Sequence, residues 1–251
     1  MVNNMHALIE KAADIIVNSG FTIALTGAGI SVESGIPDFR SAEGLWSKYD
    51  PAEYATLSTF MVNPGKVWEL MKEMEKLLGK AKPNAAHVAM GELEKTGYLH
   101  YIITQNIDNL HQEGGAKNVI EYHGTWKTLS CIWCGKKYTY EEKRDQYPPQ
   151  CECKRILKPD IVFFGESIPQ DAMILSYRLA SKAKALIIVG TSAVVSPANT
   201  IPAIAKENGA YLIEINKEPT CLTDNVTDVF LQGSAGEIMS ELLTKVKNKG
   251  H

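Results

Sequence analysis

The sequence predicts an α/β chain, with a mainly parallel, doubly wound sheet covered by helices on both faces. Three observations carry that prediction. Short apolar runs recur along the chain with helical patterns between them. The first run, Phe21-Thr22-Ile23-Ala24-Leu25, is followed at once by the glycine pair Gly27 and Gly29. Two stretches, 53–95 and 127–158, interrupt the alternation with compositions of their own. Strands alternating with helices require right-handed crossovers, which build a parallel sheet buried on both faces. A glycine pair directly after the first strand points, within that class, to a Rossmann-like dinucleotide-binding sheet.

Taken in order, residues 6–19 place Leu8, Ile9, Ala12, Ile15 and Ile16 on one helical stripe that stops at Gly20. Phe21–Leu25, bounded by Gly20 and Gly27, is a buried strand. From Ser41 to about Pro51 the chain reads as a connecting segment. The stretch 53–95 is helix-rich, with Val67, Leu70, Met71, Met74, Leu77 and Leu78 at helical spacing. Strand patterns return at Tyr98–Thr104, Asn118–Tyr122, Ile161–Phe164, Ala185–Val189, Tyr211–Ile215 and Val229–Leu231. Helical patterns at 171–183 and 198–208 separate the later strands, and 234–247 closes the chain. The expected division is a Rossmann-like domain from 1–52, 96–126 and 159–251. A smaller unit comprises the helical insertion 53–95 and the module 127–158, and forms one wall of a cleft.

Composition excludes several classes. The chain of 251 residues is 45% hydrophobic and 22% charged, as in ordinary globular proteins. A net charge of −3 gives no electrostatic case for nucleic acid or an anionic membrane as partner. No apolar run approaches the roughly 18 residues of a membrane span. Glu10, Lys11 and Asp14 interrupt the N-terminal apolar residues, so no export signal is read and a cytoplasmic location is expected. Five cysteines, an odd number, argue against a disulfide framework. Four of them form the pairs Cys131-x₂-Cys134 and Cys151-x-Cys153. Four thiolates close a tetrahedral zinc site with no open position, so the metal expected is structural. Cys221 stands apart and reads as a packed residue. Residues 131–158 hold seven Lys or Arg against four acids, a modest excess that a solvated face explains.

The chemistry-bearing residues cluster after strands. Gly27, Ala28 and Gly29 open a stretch whose backbone N–H groups are expected to face an anion. Its continuation, Ser34-Gly35-Ile36-Pro37-Asp38-Phe39-Arg40, brings a carboxylate, an aromatic face and a guanidinium beside that site. Gln105-Asn106-Ile107-Asp108 follows the strand ending at Thr104, although Asp108 also suits capping of a helix over Asn109–Glu113. His123 follows the strand ending at Tyr122, Gly190-Thr191-Ser192 follows Val189, and Asn216 follows Ile215. Open parallel sheets bind ligands at these carboxyl ends. A histidine placed there, titrating near neutrality, suits general-base work. His6, His87, His100, His111 and His251 carry no such context and read as core or surface residues.

Together these blocks resemble the signature of the sirtuins of prokaryotic type, the NAD-dependent protein lysine deacylases, from about Ile9 to the C-terminal helix. The resemblance implies consumption of NAD as co-substrate and an acetylated-lysine protein or peptide as partner. The products implied are free lysine, nicotinamide and O-acetyl-ADP-ribose. It implies that Gly27, Ala28, Gly29, Ser31, Asp38, Phe39, Arg40, Gln105, Gly190, Thr191 and Ser192 line the NAD site, with Ser192 toward the phosphates or adenosine ribose. Asn106 would orient the nicotinamide ribose, and Ile107 and Asp108 would receive the nicotinamide amide, which Phe39 helps sequester. Asn216 would take the adenosine ribose hydroxyls, and Ala235 the adenine side. His123 becomes the base that activates a ribose hydroxyl. Phe164, Gly165 and Glu166 on one side and Val194 and Val195 on the other would bind the peptide, with Phe164 and Val195 walling an apolar tunnel. Core packing competes for Phe163 and Val194. The second cysteine pair is one residue shorter than the family spacing. Family members that prefer succinyl groups carry a Tyr and an Arg where Met71 and Met74 stand, so acetyl and longer apolar acyl groups are expected over succinyl. Two other readings use the same cofactor: protein mono-ADP-ribosyl transfer, and a non-catalytic NAD-sensing zinc-ribbon protein. His123 counts against the sensor, which needs no base.

Overall fold

The computed structural model describes residues 2–38 and 44–250. In chain order the large sheet and its first helices are α1 (Val2–Ser19), β1 (Thr22–Thr26) and a 3₁₀ turn over Ala28–Ser34. A helical group follows: α2 (Pro51–Tyr54), α3 (Leu57–Val62), α4 (Pro64–Leu78) and α5 (Ala85–Lys95). Next come β2 (Tyr101–Thr104), α6 (Leu110–Glu113), β3 (Val119–Glu121), β4 (Gly124–Ser130), β5 (Lys137–Thr139), α7 (Tyr140–Lys143) and β6 (Lys158–Ile161). The C-terminal part is α8 (Gln170–Ala180), β7 (Ala185–Val189), α9 (Thr200–Glu207), β8 (Tyr211–Asn216), β9 (Val229–Gln232) and α10 (Ala235–Lys249).

Six strands form one parallel sheet in the order β3-β2-β1-β7-β8-β9. The order reverses between β1 and β7, which is where a doubly wound sheet opens a crevice. The strands read as unbroken apolar runs because both faces are covered. Ala24, Ile102, Ile187, Val189, Ile213 and Ile215 pack against α1, α5 and α10. Their neighbours Ile23, Leu25, Ile103, Leu186, Ile188 and Leu212 point the other way, onto α8 and α9. The period of two along each strand thus sends successive apolar side chains to alternate cores.

A third core belongs to the smaller unit. β4 pairs antiparallel with β5 and β6, and helices α2 to α4 cover the resulting three-stranded sheet. Trp68, Phe60, Leu70, Leu129, Leu157 and Phe163 are buried there, with Trp46 and Trp126 packed at its margin. The Trp68 indole N–H donates to the Leu157 carbonyl at 2.9 Å, tying α4 to the residue that leads into β6. Side-chain oxygens of Asp50, Thr56 and Asn63 cap α2, α3 and α4, which explains three helices in quick succession.

The run Ile161–Phe164 departs from expectation, because it does not join the parallel sheet. Ile161 ends β6 of the small sheet, and Phe164 beyond it pairs with the helical group. The Phe164 N–H donates to the Ala55 carbonyl at 2.9 Å, and its carbonyl accepts from Leu57 N–H at 3.1 Å. An apolar run signals burial but not which sheet supplies it, and Phe163 is buried in the third core. The small sheet runs from Gly124 to Ile161, overrunning 127–158 at both ends.

Candidate functional site

The carboxyl ends of β1, β2, β7 and β8 open into a cleft of about 560 Å³. Its walls bring together Gly27, Ala28, Gly29, Ser31, Asp38, Gln105, Asn106, Ile107, Asp108, His123, Phe164, Gly165, Glu166, Gly190, Thr191, Ser192, Val195, Asn216 and Ala235. Val194 is not among these wall residues and is 55% exposed. Phe39 and Arg40 lie outside the described residues.

The glycine pair is needed at the switch point, but not for the reason its sequence suggests. The Gly27 N–H donates to the Val189 carbonyl at 3.1 Å and the Gly29 N–H to the Gly190 carbonyl at 2.8 Å. These two donors join the β1 loop to the β7 loop and do not face an anion. A Cβ at Gly29 would stand 2.7 Å from the Gly190 Cα, and one at Gly190 would stand 2.3 Å from Ile30 N. The two loops cross backbone to backbone, which only glycine allows.

Beneath the cleft lies a buried polar cluster. Ser31 Oγ donates to Asp108 Oδ2 at 2.6 Å and accepts from Asn106 Nδ2 at 3.1 Å, and Asn106 Nδ2 also reaches the Gly27 carbonyl at 3.2 Å. Asp108 Oδ1 accepts the Leu110 N–H at 2.9 Å, so the carboxylate serves the start of α6 and the cluster at once. His87 Nδ1 accepts the Asn84 N–H, leaving Nε2–H to face Ser31 Oγ at 3.4 Å. His111 Nε2 meets Thr26 Oγ1 at 2.9 Å, and the two imidazoles are 4.9 Å apart edge to face. Burial lowers His87 from 6.5 to about 4 against the opposing pull of Asp108, and burial, with His87 alongside, holds His111 well below the ordinary histidine range. Both rings are therefore neutral near pH 7.

His123 is the histidine that lines the cleft. Its Nδ1 stands 3.0 Å from the Gln105 carbonyl, which can only accept, so the proton sits on Nδ1 and Nε2 carries the lone pair. Burial lowers its pKa, and the Gln105 carbonyl partly opposes that. The proton-accepting form thus persists below the ordinary histidine range.

At the far end Asn216 Nδ2 donates to the Thr191 carbonyl and to Glu214 Oε1, both at 3.2 Å. Glu214 is wholly buried. It also accepts from Thr220 Oγ1 at 2.5 Å, Thr223 Oγ1 at 2.9 Å and Thr227 Oγ1 at 2.8 Å, fixing the loop after β8. Sequence reasoning passed over Glu214, yet a carboxylate inside an apolar strand is itself a signal, since a buried charge requires partners. His87 and His111, which their sequence context marks only as core or surface residues, lie directly under the cleft floor. The apolar side is supplied by Leu70, Met71, Met74 and Leu78 of α4 with Ile161 and Phe163.

The four cysteines converge outside the cleft. Their Sγ atoms all lie within 4.8 Å of one another, with Cys131 to Cys153 at 3.6 Å and Cys134 to Cys151 at 3.5 Å. Those separations are far from a disulfide bond of about 2.05 Å. They approach the roughly 3.8 Å edge of a zinc tetrahedron with bonds of about 2.3 Å. The short second pair is accommodated because Lys154 adopts φ +65, turning the chain directly after Cys153. The donor set and geometry fit zinc.

Comparison with known proteins agrees with this geometry. The model of the Sir2 family matches residues 27–197. A protein of Thermococcus sibiricus named NAD-dependent protein deacylase is 45% identical over 248 residues, covering 96% of this chain and 97% of its own. A solved complex of a Sir2 homologue with NAD superposes with a TM-score of 0.89 at 41% identity, covering 96% of this chain and 95% of that one. A Sir2 enzyme bound to a myristoylated histone peptide gives 0.83 at 36% identity, covering 97% and 98%. A family match that includes the switch-point loop, His123 and all four cysteines leads to one conclusion: the chain belongs to the Sir2 family.

Proposed function

We propose that the protein is an NAD-dependent protein lysine deacetylase in which His123 is the general base. The observation that carries this is the sharing of one cleft by His123, with its lone pair on Nε2, and the Ser31–Asn106–Asp108 cluster. When bound, NAD supplies the ribose that accepts the acyl group and releases nicotinamide. Asn106 and Asp108 hold the nicotinamide end, while Gly190, Thr191, Ser192, Asn216 and Ala235 hold the phosphates and adenosine. His123 Nε2 takes a proton from a ribose hydroxyl, and the Gln105 carbonyl keeps the imidazole in the tautomer that can do so. The closed four-thiolate zinc site supports the small unit and takes no part in chemistry.

The acyl-lysine enters between Phe164, Gly165 and Glu166 on one side and Val194 and Val195 on the other. Phe164 already has both backbone groups bonded to the helical group, so the peptide backbone must pair elsewhere along the turn, at Gly165. Met71 and Met74 bring no phenol or guanidinium to the acyl end, which favours acetyl and longer apolar groups over succinyl. No helix among the described residues is long and apolar enough to cross a membrane. The cytoplasm, with NAD and reduced thiols, suits the reaction.

The test is mass spectrometry of acetyl- and succinyl-lysine peptides incubated with and without NAD. NAD-dependent loss of about one acetyl mass with appearance of O-acetyl-ADP-ribose is expected, and removal of succinyl should be slower. His123→Ala should lower kcat about 10²- to 10⁴-fold while NAD still binds. Radiolabel from NAD retained on protein, with the peptide intact, would favour ADP-ribosyl transfer instead.

A further inference from the structure

Among the described residues one lysine or arginine side chain is buried, and it stands beside the proposed peptide site. Lys158, at 7% exposure, begins β6. Each of its three ammonium protons has an acceptor: the Pro159 carbonyl at 3.0 Å, the Ile161 carbonyl at 2.7 Å and Glu166 Oε2 at 2.9 Å. The ammonium also lies 4.4 Å from the Phe163 ring centroid. A buried ion pair adds little to stability compared with an apolar pair of the same shape. Its place here calls for a reason other than stability.

That reason lies in the turn it grips. Phe163–Glu166 is a four-residue turn closed by the Glu166 N–H on the Phe163 carbonyl at 3.0 Å. Gly165, the third residue, has φ +85, as a type II turn requires. Glu166 Oε2 reaches back to accept the Phe163 N–H at 2.8 Å, closing the turn a second time. The same oxygen receives Lys158. The Glu166 carboxylate is therefore turned inward, to the turn's own backbone and to β6. Phe164, 48% exposed, and Gly165 are carried on this turn at the cleft wall.

We propose that Lys158 is a positioning residue for the acyl-lysine peptide. Through Glu166 it locks the Phe163–Glu166 turn in the conformation that presents Phe164 and Gly165 to substrate. The role rests on the peptide site assigned above. Removing the ammonium frees the Glu166 carboxylate to swing to water, which releases the Phe163 N–H and lets the turn shift. A displacement of about 1 Å at a binding element can cost up to about a hundredfold.

Steady-state kinetics with an acetyl-lysine peptide test this. K158M should raise the peptide KM about tenfold or more, with the KM for NAD staying within about twofold. Should K158M unfold because it strands a charge, K158M with E166Q removes both charges, should keep a near-native melting temperature, and should show the same rise in peptide KM. A folded variant with the wild-type peptide KM overturns the role. So does an equal rise in both KM values, which would mark a merely structural lysine. A wild-type protein that turns over no acyl peptide would defeat the functional reading itself, and this role with it.

Discussion

Neutral, buried imidazoles at His87 and His111 make the cleft floor sensitive to acid. His87 titrates at about 4 in the folded chain against 6.5 unfolded. Protons therefore bind the unfolded state first as the pH falls. The contribution to stability is complete above 6.5 and drains away as the pH drops toward 4, and His111, also lowered, adds to it. His87 alone should make urea unfolding at pH 7 and pH 5 differ by about 2 kcal/mol, and His111 adds to that difference. His87→Gln should reduce that difference by about 2 kcal/mol and leave the share of His111, and an unchanged slope would show that the His87 ring does not contribute to it. Why these two residues escaped the sequence is physical. His123 follows a strand end, and topology alone makes that position functional. His87 and His111 sit in helices, and their meaning comes from Ser31, Asp108 and Thr26 arriving from other segments. Lys158 and Glu214 are alike in this: each is defined by partners that spacing along the chain does not reveal.

Strands and loops show the same division between what sequence carries and what only the fold supplies. The five-residue runs of β1 and β7 are legible because a strand buried on both faces must be apolar throughout. The run at Ile161–Phe164 is as apolar but packs elsewhere, since Phe163 is drawn into the third core. The Gly27–Gly29 loop was legible as special, but its two N–H donors bind the β7 loop, a contact unseen from one segment. That contact ranks three substitutions. Gly190→Ala meets Ile30 N at 2.3 Å and sits at φ +61, so it should be the most damaging. Gly29→Ala, at 2.7 Å from the Gly190 Cα, should follow with a loss of about 1–3 kcal/mol. Gly20→Ala has open space but φ +69, which leaves backbone strain alone, about 1 kcal/mol. Chemical denaturation midpoints give the order directly, and a Gly20 variant weaker than the other two would contradict it.

At the scale of the whole molecule, the first insertion as far as Leu78 and the second share a core of their own, whereas α5, the end of the first insertion, packs against α10 and covers the parallel sheet. Cysteine pairs announced the zinc site by spacing, whereas the small sheet's extent, from Gly124 to Ile161, depended on which strands pair. Cys131 follows β4 directly, and β4 pairs with β6, whose end leads into the Phe163–Glu166 turn. Stripping zinc with a chelator should therefore abolish deacetylation and loosen the small sheet, while circular dichroism retains most of the helical signal of the parallel-sheet domain. Metal analysis of the active protein should give one zinc per chain. Retained activity in metal-free protein would argue against a supporting role for the ion. The distribution of indole rings adds a practical consequence. Of the four tryptophans, Trp46, Trp68 and Trp126 pack in or around the third core and Trp133 sits exposed between the zinc cysteines. None lies in the parallel sheet or on the helices that cover it. Intrinsic fluorescence of this protein is thus a private optical channel to the smaller unit, and its melting curve can be laid against the far-ultraviolet signal of the larger one to time the two separately.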